Sequence, residues 1–333
     1  MPAEKRKVSS KKLPDAKGKK KRDLNEENGN SDVDAHQKIQ DEKNGPSAKY
    51  RSTGRRILIR LSTIAVLLVG AHLYFGQGQS VLIPLAKQTE TLPAKFIYVK
   101  CSEDFEADRA KFPECAPKLC GRGVMDTIVS EKEAKQLVEV AKKGLSYGGS
   151  NGGASILDLH SGALSKGDSF INIYQYIEQK NLGNVFSSED IRLYRKVADK
   201  IKVAISARFQ IPGQKIYLTH PTFFSRMNSK KAKTLHDEYW HPHVDKKTYE
   251  TFDYTSLLYL TDYDVDFKGG RFVFIDDKAN STVEPKLGRL SFFTSGSENT
   301  HFVEKVTSGT RYAITVSFTC DKKHAIQYPK MGS

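Results

Sequence analysis

The chain contains 333 residues, of which 38% are hydrophobic and 28% charged, and its formal net charge is +14. A chain of this length can bury one sizeable core and still carry additional segments. Residues 1–56 hold 16 Lys and Arg against nine Asp and Glu, so half of the positive excess lies in a short N-terminal segment. The composition therefore argues against a nucleic-acid-binding protein, and we expect no nucleic acid partner.

The N-terminal segment 1–56 has few apolar side chains and many Lys, Asp, Asn, Ser and Gly residues. Such a segment cannot bury enough apolar surface to offset the loss of chain entropy, which predicts a disordered tail. Its basic run at residues 19–22 has the form of a nuclear-localisation signal. Since an apolar segment follows, we interpret the run instead as part of a solvated cytoplasmic tail beside a membrane.

A long uncharged stretch follows the tail, over residues 61–86. A bilayer core requires about 20 mostly apolar residues, so the sequence predicts a transmembrane signal-anchor over 57–83 rather than a cleaved signal peptide or a buried core helix. Arginines are concentrated before the anchor, and only Lys87 and Lys95 follow closely. The asymmetry predicts a single-pass type II membrane protein whose body faces the lumen of the endoplasmic reticulum or Golgi.

All four cysteines lie beyond the predicted anchor, at Cys101, Cys115, Cys120 and Cys320. In an oxidising compartment they allow two disulfides in any of three connectivities, and one bridge could connect the segment after the stem to the last strand. A zinc site is the alternative, but Cys115 and Cys120 have no second pair of ligands nearby. Asn280 begins an Asn-Ser-Thr triplet, which predicts a glycosylation site on a lumenal surface.

The remaining segments are a stem with a Cys-rich linker (84–123), a helical support region (124–209), a strand-rich domain (210–322) and a C-terminal tail (323–333). A capping box at Ser130 predicts the start of one helix, and a second helix is expected from about Ser187. The glycine-rich stretch 148–153 lacks the strand–turn–helix context of a phosphate loop and is interpreted as a flexible loop.

Short runs rich in Val, Ile, Phe, Tyr and Thr follow residue 209 and predict many short strands, which are typical of a sandwich or jelly roll. We therefore expect an α+β fold in which N-terminal helices support a double-stranded β-helix, preceded by the transmembrane helix and the disordered tail. The predicted strands are 215–218, 222–226, 256–260, 271–275, 289–293 and 312–318.

One short motif carries the predicted chemistry. His243 and Asp245 are two residues apart, a spacing that places both side chains on one face of a strand. Together with His301 they form the two-His, one-carboxylate set of non-haem Fe(II) oxygenases. Rival ligands are His241 and the neighbouring group at 236–238, and a purely structural role for these histidines is the other alternative.

An arginine ten residues after His301 extends this pattern. A 2-oxo acid that chelates the metal has a second carboxylate, and the planar fork of Arg311 suits such a group better than a lysine does. Tyr259 and Thr315 are candidate hydroxyl donors to the same molecule. No catalytic residue is predicted beyond the metal site and these three.

Four motifs resemble the prolyl 4-hydroxylase superfamily of Fe(II)- and 2-oxoglutarate-dependent oxygenases. They are the stretches 243–245, 258–260, 269–272 and 310–316. The resemblance implies a double-stranded β-helix, Fe(II) held by His243, Asp245 and His301, 2-oxoglutarate held by Arg311, and a requirement for ascorbate. Two departures concern the substrate: the superfamily's usual tyrosine on the strand before the His-x-Asp motif is not evident, and the Lys-rich stretch 230–233 is an insertion.

The sequence thus predicts a membrane-anchored lumenal dioxygenase that hydroxylates an unidentified protein side chain, a proline or lysine being favoured by family analogy alone. The alternative is a catalytically silent jelly-roll binding module of the secretory pathway.

Overall fold

The computed structural model describes residues 48–75 and 81–329, and residues 1–47 of the predicted tail lie outside the described residues. The chain divides into two units, one ending at Tyr74 and one beginning at Phe75. The first unit contains one described helix, α1, over Ala48–Phe75. Residues 48–56 were predicted to be disordered, but they form the first turns of this helix.

The predicted anchor over 57–83 is not confirmed. No helix in the described ranges is long and apolar enough to cross a membrane. Leu82 and Ile83, at the end of the predicted anchor, belong to a strand instead.

The described residues of the second unit form five further α-helices and fifteen strands. The helices are α2 Glu106–Lys111, α3 Glu131–Leu145, α4 Ile173–Gln179, α5 Ser188–Phe209 and α6 Asp245–Thr248. The first seven strands are β1 Leu82–Ala86, β2 Lys95–Val99, β3 Cys120–Met125, β4 Gly149–Ser150, β5 Ala154–Leu157, β6 Ala163–Gly167 and β7 Ser169–Asn172. The remaining strands are β8 Tyr217–Asn228, β9 Tyr254–Tyr259, β10 Phe267–Gly269, β11 Phe272–Phe274, β12 Asn280–Val283, β13 Leu290–Thr294, β14 His301–Val303 and β15 Val306–Thr319.

The strands form two sheets. The main sheet has eleven strands, whose central order is β3-β13-β9-β15-β8-β5, with antiparallel pairing along this series. The minor sheet has the order β1-β12-β11-β14. An apolar cluster that includes Leu257, Phe272 and Phe293 contains side chains of both sheets. Two mostly antiparallel sheets that share a core in this way are consistent with the predicted jelly roll.

The other face of the main sheet packs against the two predicted helices, α3 and α5. Both begin at a capping box, with Ser130 and Glu133 at α3 and with Ser187 and Asp190 at α5. Their apolar stripes join side chains of β9, β13 and β15 in a second and larger cluster. The predicted positions of both helices are therefore confirmed, as is their role in supporting one sheet.

The segment 84–123, predicted to be a stem, belongs to the folded body. Strand β1 pairs with β12 in the minor sheet, and β2 and β3 extend the main sheet beside β13. Arg289 is completely buried and donates hydrogen bonds to the carbonyls of Lys87 and Glu90. The prediction of a stem was wrong because the partners of β1 and β3, which are β12 and β13, lie more than 100 residues away, and β2 joins the main sheet through β3.

Two disulfides fasten the same segment. Cys101 is bonded to Cys120, and Cys115 is bonded to Cys320 at the end of β15. The second bridge is the link to the last strand that the sequence allowed. Since all four cysteines are paired, the alternative of a zinc site is excluded.

Three other predictions need correction or qualification. The support region 124–209 contains strands β4 to β7 as well as helices. The stretch 148–153 is not a free loop, because it contains β4 and Ser150 donates to the carboxylate of Asp237 at 2.6 Å. Asn280 is 7% exposed within β12, and its Oδ1 accepts a hydrogen bond from the backbone N–H of Asp276. That burial does not fit a glycan acceptor.

Candidate metal centre and oxo-acid pocket

The three predicted metal ligands come together at the edge of the minor sheet. The backbones of His243 and His301 form an antiparallel bridge, with N···O distances of 2.9 and 3.0 Å in the two directions. The prediction that Asp245 lies on a strand with His243 was wrong, because Asp245 is the first residue of α6. The turn into this helix, rather than strand alternation, brings the carboxylate toward both imidazoles.

The geometry of this group suits a metal ion. One ligand atom from each of the three residues lies within 4.8 Å of the others. The Nε2 atoms of His243 and His301 are 3.7 and 3.6 Å from Asp245 Oδ1. The opposite nitrogens donate to backbone carbonyls, from His243 Nδ1 to His241 at 2.9 Å and from His301 Nδ1 to Asn299 at 2.8 Å. These bonds fix the tautomer that leaves Nε2 free to bind a cation.

The second carboxylate oxygen of Asp245 is held by hydroxyl groups that the sequence analysis did not identify. Thr255 donates to Asp245 Oδ2 at 2.7 Å, and the same hydroxyl lies 2.9 Å from Ser295 Oγ. All three side chains are buried. The arrangement directs Oδ1 toward the histidines, as outer groups commonly do for metal-binding carboxylates.

The two histidines differ in their access to solvent. The His301 side chain is buried against the rings of Phe272 and Phe293, whereas 41% of the His243 side chain is exposed. Burial lowers the pKa of His301 to about 4, so its imidazole is neutral at physiological pH. A neutral imidazole is the form that binds a metal. A molecule from solution can therefore reach the site on the side of His243.

Arg311 lies deep in the same interior. It is completely buried on β15, and its Nε donates to the carbonyl of Gly270 at 2.9 Å. Its Nη2 has no hydrogen-bond partner among the described residues. Burial lowers the pKa of Arg311. A buried cationic donor without a partner is costly, so this pocket suits an anion such as a carboxylate.

The two predicted hydroxyl donors lie on the same inner surface. Tyr259 is fully buried, its hydroxyl has no partner within the described part of the chain, and the Arg311 guanidinium lies 5.4 Å from the centre of its ring. Burial raises the pKa of Tyr259 to about 12, which keeps the hydroxyl protonated. Thr315 is half-buried, and strand alternation places it on the face of β15 that carries Arg311. The structure shows no bond that assigns Thr315 a role.

The rival ligands have other partners. His241 Nε2 lies 2.8 Å from Glu238 Oε2, and neither residue belongs to the group that could hold a metal ion. Asp237 is completely buried and accepts hydrogen bonds from residues at the start of β5 and from Thr234. In the described ranges, the set of His243, Asp245 and His301 is the only group of this kind that could hold a metal ion.

A tyrosine missed by the sequence analysis also lies near Arg311. The Tyr239 side chain packs against the inner apolar cluster, and its hydroxyl accepts a hydrogen bond from the backbone N–H of Val306 at 3.0 Å. The positive charge of Arg311 acts on its ionisation, although burial dominates and raises the pKa of Tyr239. Tyr239 lies on a loop, whereas the superfamily's usual tyrosine is expected on the strand before the His-x-Asp motif.

The donor set fits Fe(II) and a 2-oxo acid. Two imidazoles and one carboxylate leave three positions of an octahedron for other ligands. Arg311 Nη2 and the Tyr259 hydroxyl are buried polar atoms without partners, and they suit the far carboxylate of a dicarboxylic oxo acid. The metal-binding group and the groups suited to a 2-oxo acid, Arg311 and Tyr259, therefore both lie between the two sheets.

Comparison with known proteins agrees with this geometry. Residues 225–319 match the family described as the 2OG-Fe(II) oxygenase superfamily. The chain is 58% identical to 2-oxoglutarate and iron-dependent oxygenase domain-containing protein 3 of Xenopus tropicalis over 290 aligned residues. The alignment covers 86% of the chain and 91% of that protein. The protein of the same name from Mus musculus is 56% identical over 254 residues, covering 76% of the chain and 80% of that protein. A more distant relative, prolyl 3-hydroxylase 1 of Mus musculus, is 27% identical over 227 residues, which are 61% of the chain and 29% of that protein.

Proposed function

The chain belongs to the 2OG-Fe(II) oxygenase superfamily, and on that premise we propose that it is an active dioxygenase that hydroxylates a side chain of a protein or peptide. The observation that carries this proposal is the coexistence of a metal-binding group and a buried, partly unpartnered arginine in one interior. The prolyl hydroxylase among its relatives favours a polypeptide substrate, with proline as the first residue to test.

The residues of the chain have separate tasks in this reaction. His243, Asp245 and His301 would hold Fe(II), while Arg311 and Tyr259 would bind 2-oxoglutarate. When bound, iron and 2-oxoglutarate would supply the oxidising chemistry, in which the substrate C–H, O2 and 2-oxoglutarate give the hydroxylated product, succinate and CO2, with one oxygen atom going to the product and one to succinate.

The protein contributes orientation and the exclusion of water. The carbonyls of His241 and Asn299 orient the two imidazoles, and the hydroxyl of Thr255 orients the carboxylate. The aromatic side chains around His301 keep solvent from the inner side of the metal group. The exposed side of His243 remains the entrance for a substrate.

Further parts of the proposal concern the reductant and the location. We propose ascorbate as the reductant that keeps the iron in its ferrous state, as is implied by the family resemblance. We also propose a lumenal location, which both disulfides support because such bonds persist in oxidising compartments. Attachment to the membrane through the N-terminal segment stays a prediction, to be tested by extracting the protein from membranes with carbonate.

The deciding experiment is an assay of the full chain with Fe(II), 2-oxoglutarate, ascorbate and a library of proline- and lysine-containing peptides. Succinate release should accompany the gain of one oxygen atom by a peptide. Asp245→Ala should reduce both signals at least about 100-fold, because an iron ligand is lost. Succinate at background level in the iron-loaded protein, with every peptide, would favour the alternative of a silent binding module.

A further inference from the structure

A lysine-rich loop precedes the first metal ligand. It spans residues 229–241, between the end of β8 and His243, and we call it the basic loop. Lys230, Lys231 and Lys233 are all exposed. A fourth lysine approaches the loop from the other side, because Lys305 Nζ lies 4.0 Å from the centre of the Trp240 ring. Such a distance is typical of a cation–π interaction.

Hydrogen bonds to the body of the protein hold the basic loop in a fixed position. The buried carboxylate of Asp237 accepts hydrogen bonds from Ser150 Oγ at 2.6 Å and from the backbone N–H groups of Ala154, Lys233 and Thr234 at 2.9–3.3 Å. These bonds fasten the middle of the loop to the start of β5. The lysines are therefore displayed on a fixed frame, which distinguishes them from a mobile charged tail.

The loop also has little negative charge of its own to neutralise the lysines. Asp237 is buried and occupied by its hydrogen bonds, and Glu238 is paired with His241 at 2.8 Å. In the part of the chain that the structure describes, no carboxylate oxygen lies within 4.0 Å of the Nζ of Lys230, Lys231 or Lys233. Their positive charge is available to a molecule that approaches from solution.

The end of the loop is connected directly to the metal group. The carbonyl of His241 accepts the hydrogen bond that orients His243, and Trp240 is only three residues before that ligand. Tyr239 is bonded to the backbone of Val306, the residue next to Lys305. A polypeptide that presents a side chain to the exposed face of His243 would therefore meet Trp240 and Lys305 close to the metal group, and the other three lysines belong to the same loop.

We propose that the basic loop is the substrate-recognition element and that it selects polypeptides with acidic residues flanking the oxidised side chain. This inference rests on the proposed function, since it assigns a substrate class to that site. Three exposed lysines on the loop that leads to a metal ligand, with Lys305 against its Trp240, attract an anionic partner and raise its rate of association. The exposed Leu235 and the ring of Trp240 add apolar surface for the peptide's side chains.

The single tryptophan of the chain provides a direct probe. Trp240 lies within the basic loop, so its intrinsic fluorescence reports binding there without any need for turnover. The full chain would be loaded with Mn(II) and 2-oxoglutarate, which prevents oxidation. It would then be titrated with three synthetic peptides that share a central Gly-Pro and have Glu, Gln or Lys at four flanking positions. We expect saturable binding of the Glu peptide that is at least about tenfold tighter than that of the Gln peptide, and no binding of the Lys peptide.

Charge reversal localises the effect. The double variant Lys230→Glu/Lys231→Glu should weaken binding of the Glu peptide about tenfold and abolish its advantage over the Gln peptide, because the two introduced carboxylates balance Lys233 and Lys305. Lys322→Glu/Lys323→Glu is the matched control, because it reverses two exposed neighbouring lysines in a turn outside the basic loop. The control should change the affinity less than about twofold. Lys230→Gln/Lys231→Gln, which removes the charges without reversing them, should give an intermediate loss.

The outcomes separate this inference from the proposed function. Equal binding of the Glu and Gln peptides, or equal losses in the two charge-reversal variants, would overturn the inference. Tighter binding of a ten-residue oligothymidylate than of the Glu peptide would also overturn it, in favour of a general polyanion surface. Succinate release by the iron-loaded protein, measured separately, tests the proposed function, so a failure of one does not resemble a failure of the other.

Discussion

The two faces of the main sheet have opposite characters. On β9, Tyr254 points into the larger apolar cluster, which lies against α3 and α5 and is called here the outer cluster. Tyr259 points into the apolar cluster between the two sheets, called the inner cluster. Both side chains are almost completely buried. The Tyr254 hydroxyl donates to the carbonyl of Cys115 at 2.7 Å, but the Tyr259 hydroxyl has no partner among the described residues. The same residue type is thus structural on one face and available for a ligand on the other.

Strand β15 shows the same division. Ile314 and Val316 belong to the outer cluster, while Ala313 belongs to the inner one and the inner face also carries Arg311. Because alternate residues of a strand point to opposite faces, a single strand supplies both the dry core and the ligand pocket. We therefore expect mutations on the inner face to change ligand binding, and mutations on the outer side to change stability.

The largest expected effect is the loss of the metal from the inner side. His301→Ala should weaken Fe(II) binding at least about 100-fold and reduce succinate release to background, because one of three protein ligands disappears. Iron affinity would be measured by competition with a chromophoric chelator. His241→Ala is the matched control, since this exposed imidazole pairs with Glu238, and it should leave iron affinity within about threefold. Equal losses in both variants would show that the assignment of ligands is wrong.

The sequence predicted this inner site better than the fold around it. His243, Asp245, His301 and Arg311 could be identified because a chemical requirement fixes their residue types and spacing. The hydroxyls of Thr255 and Ser295 could not, because many polar residues on strands look alike until the partner is known. The strand geometry assumed for His243 and Asp245 was also wrong, since Asp245 starts a helical turn.

The N-terminal part of the fold was the least predictable. Helices α3 and α5 have local signals in their capping boxes and apolar stripes, and both were predicted correctly. Strands β1 and β3 have no such signal, because their pairing partners β12 and β13 lie far along the chain, and β2 joins the main sheet through β3. The burial of Asn280 is likewise a tertiary property that its triplet does not encode.

The largest effect on stability, as distinct from ligand binding, concerns the outer side, through the disulfides. Cys115 and Cys320 belong to the outer cluster, and their bridge spans 205 residues, whereas the bridge from Cys101 to Cys120 spans 19. On a chain-entropy estimate, Cys115→Ala/Cys320→Ala should lower the free energy of unfolding by about 5 kcal/mol and Cys101→Ala/Cys120→Ala by about 3 kcal/mol. Urea denaturation of both variants would measure the difference.

The same experiment tests the separation of the two faces. The folded fraction of Cys115→Ala/Cys320→Ala should bind Fe(II) with unchanged affinity, because this bridge belongs to the outer cluster. A larger loss of stability from the short bridge would contradict the estimate, and weaker iron binding in folded protein would show that the faces are coupled.

A smaller effect is expected at the oxo-acid pocket. Arg311→Ala should weaken 2-oxoglutarate binding about 100-fold, and Arg311→Lys about tenfold, because lysine keeps the charge but not the planar fork. Calorimetric titration of the Mn(II)-loaded protein would give both affinities. The two variants should bind Mn(II) as tightly as the unmodified protein. Unchanged 2-oxoglutarate affinity in Arg311→Ala would remove this arginine from the pocket.

The smallest effect gives the most direct test of the comparison between the faces, since it uses one substitution at two positions of β9. Tyr254→Phe removes a satisfied hydrogen bond and should cost about 1 kcal/mol of unfolding free energy, with 2-oxoglutarate affinity unchanged. Tyr259→Phe removes a hydroxyl that has no partner in the described structure, so stability should be unchanged or slightly higher. Its 2-oxoglutarate affinity should fall about fivefold, because the ligand loses a hydrogen-bond donor. If Tyr259→Phe instead destabilised the protein and left 2-oxoglutarate affinity intact, the inner hydroxyl would be structural and the two faces would not differ as the geometry indicates.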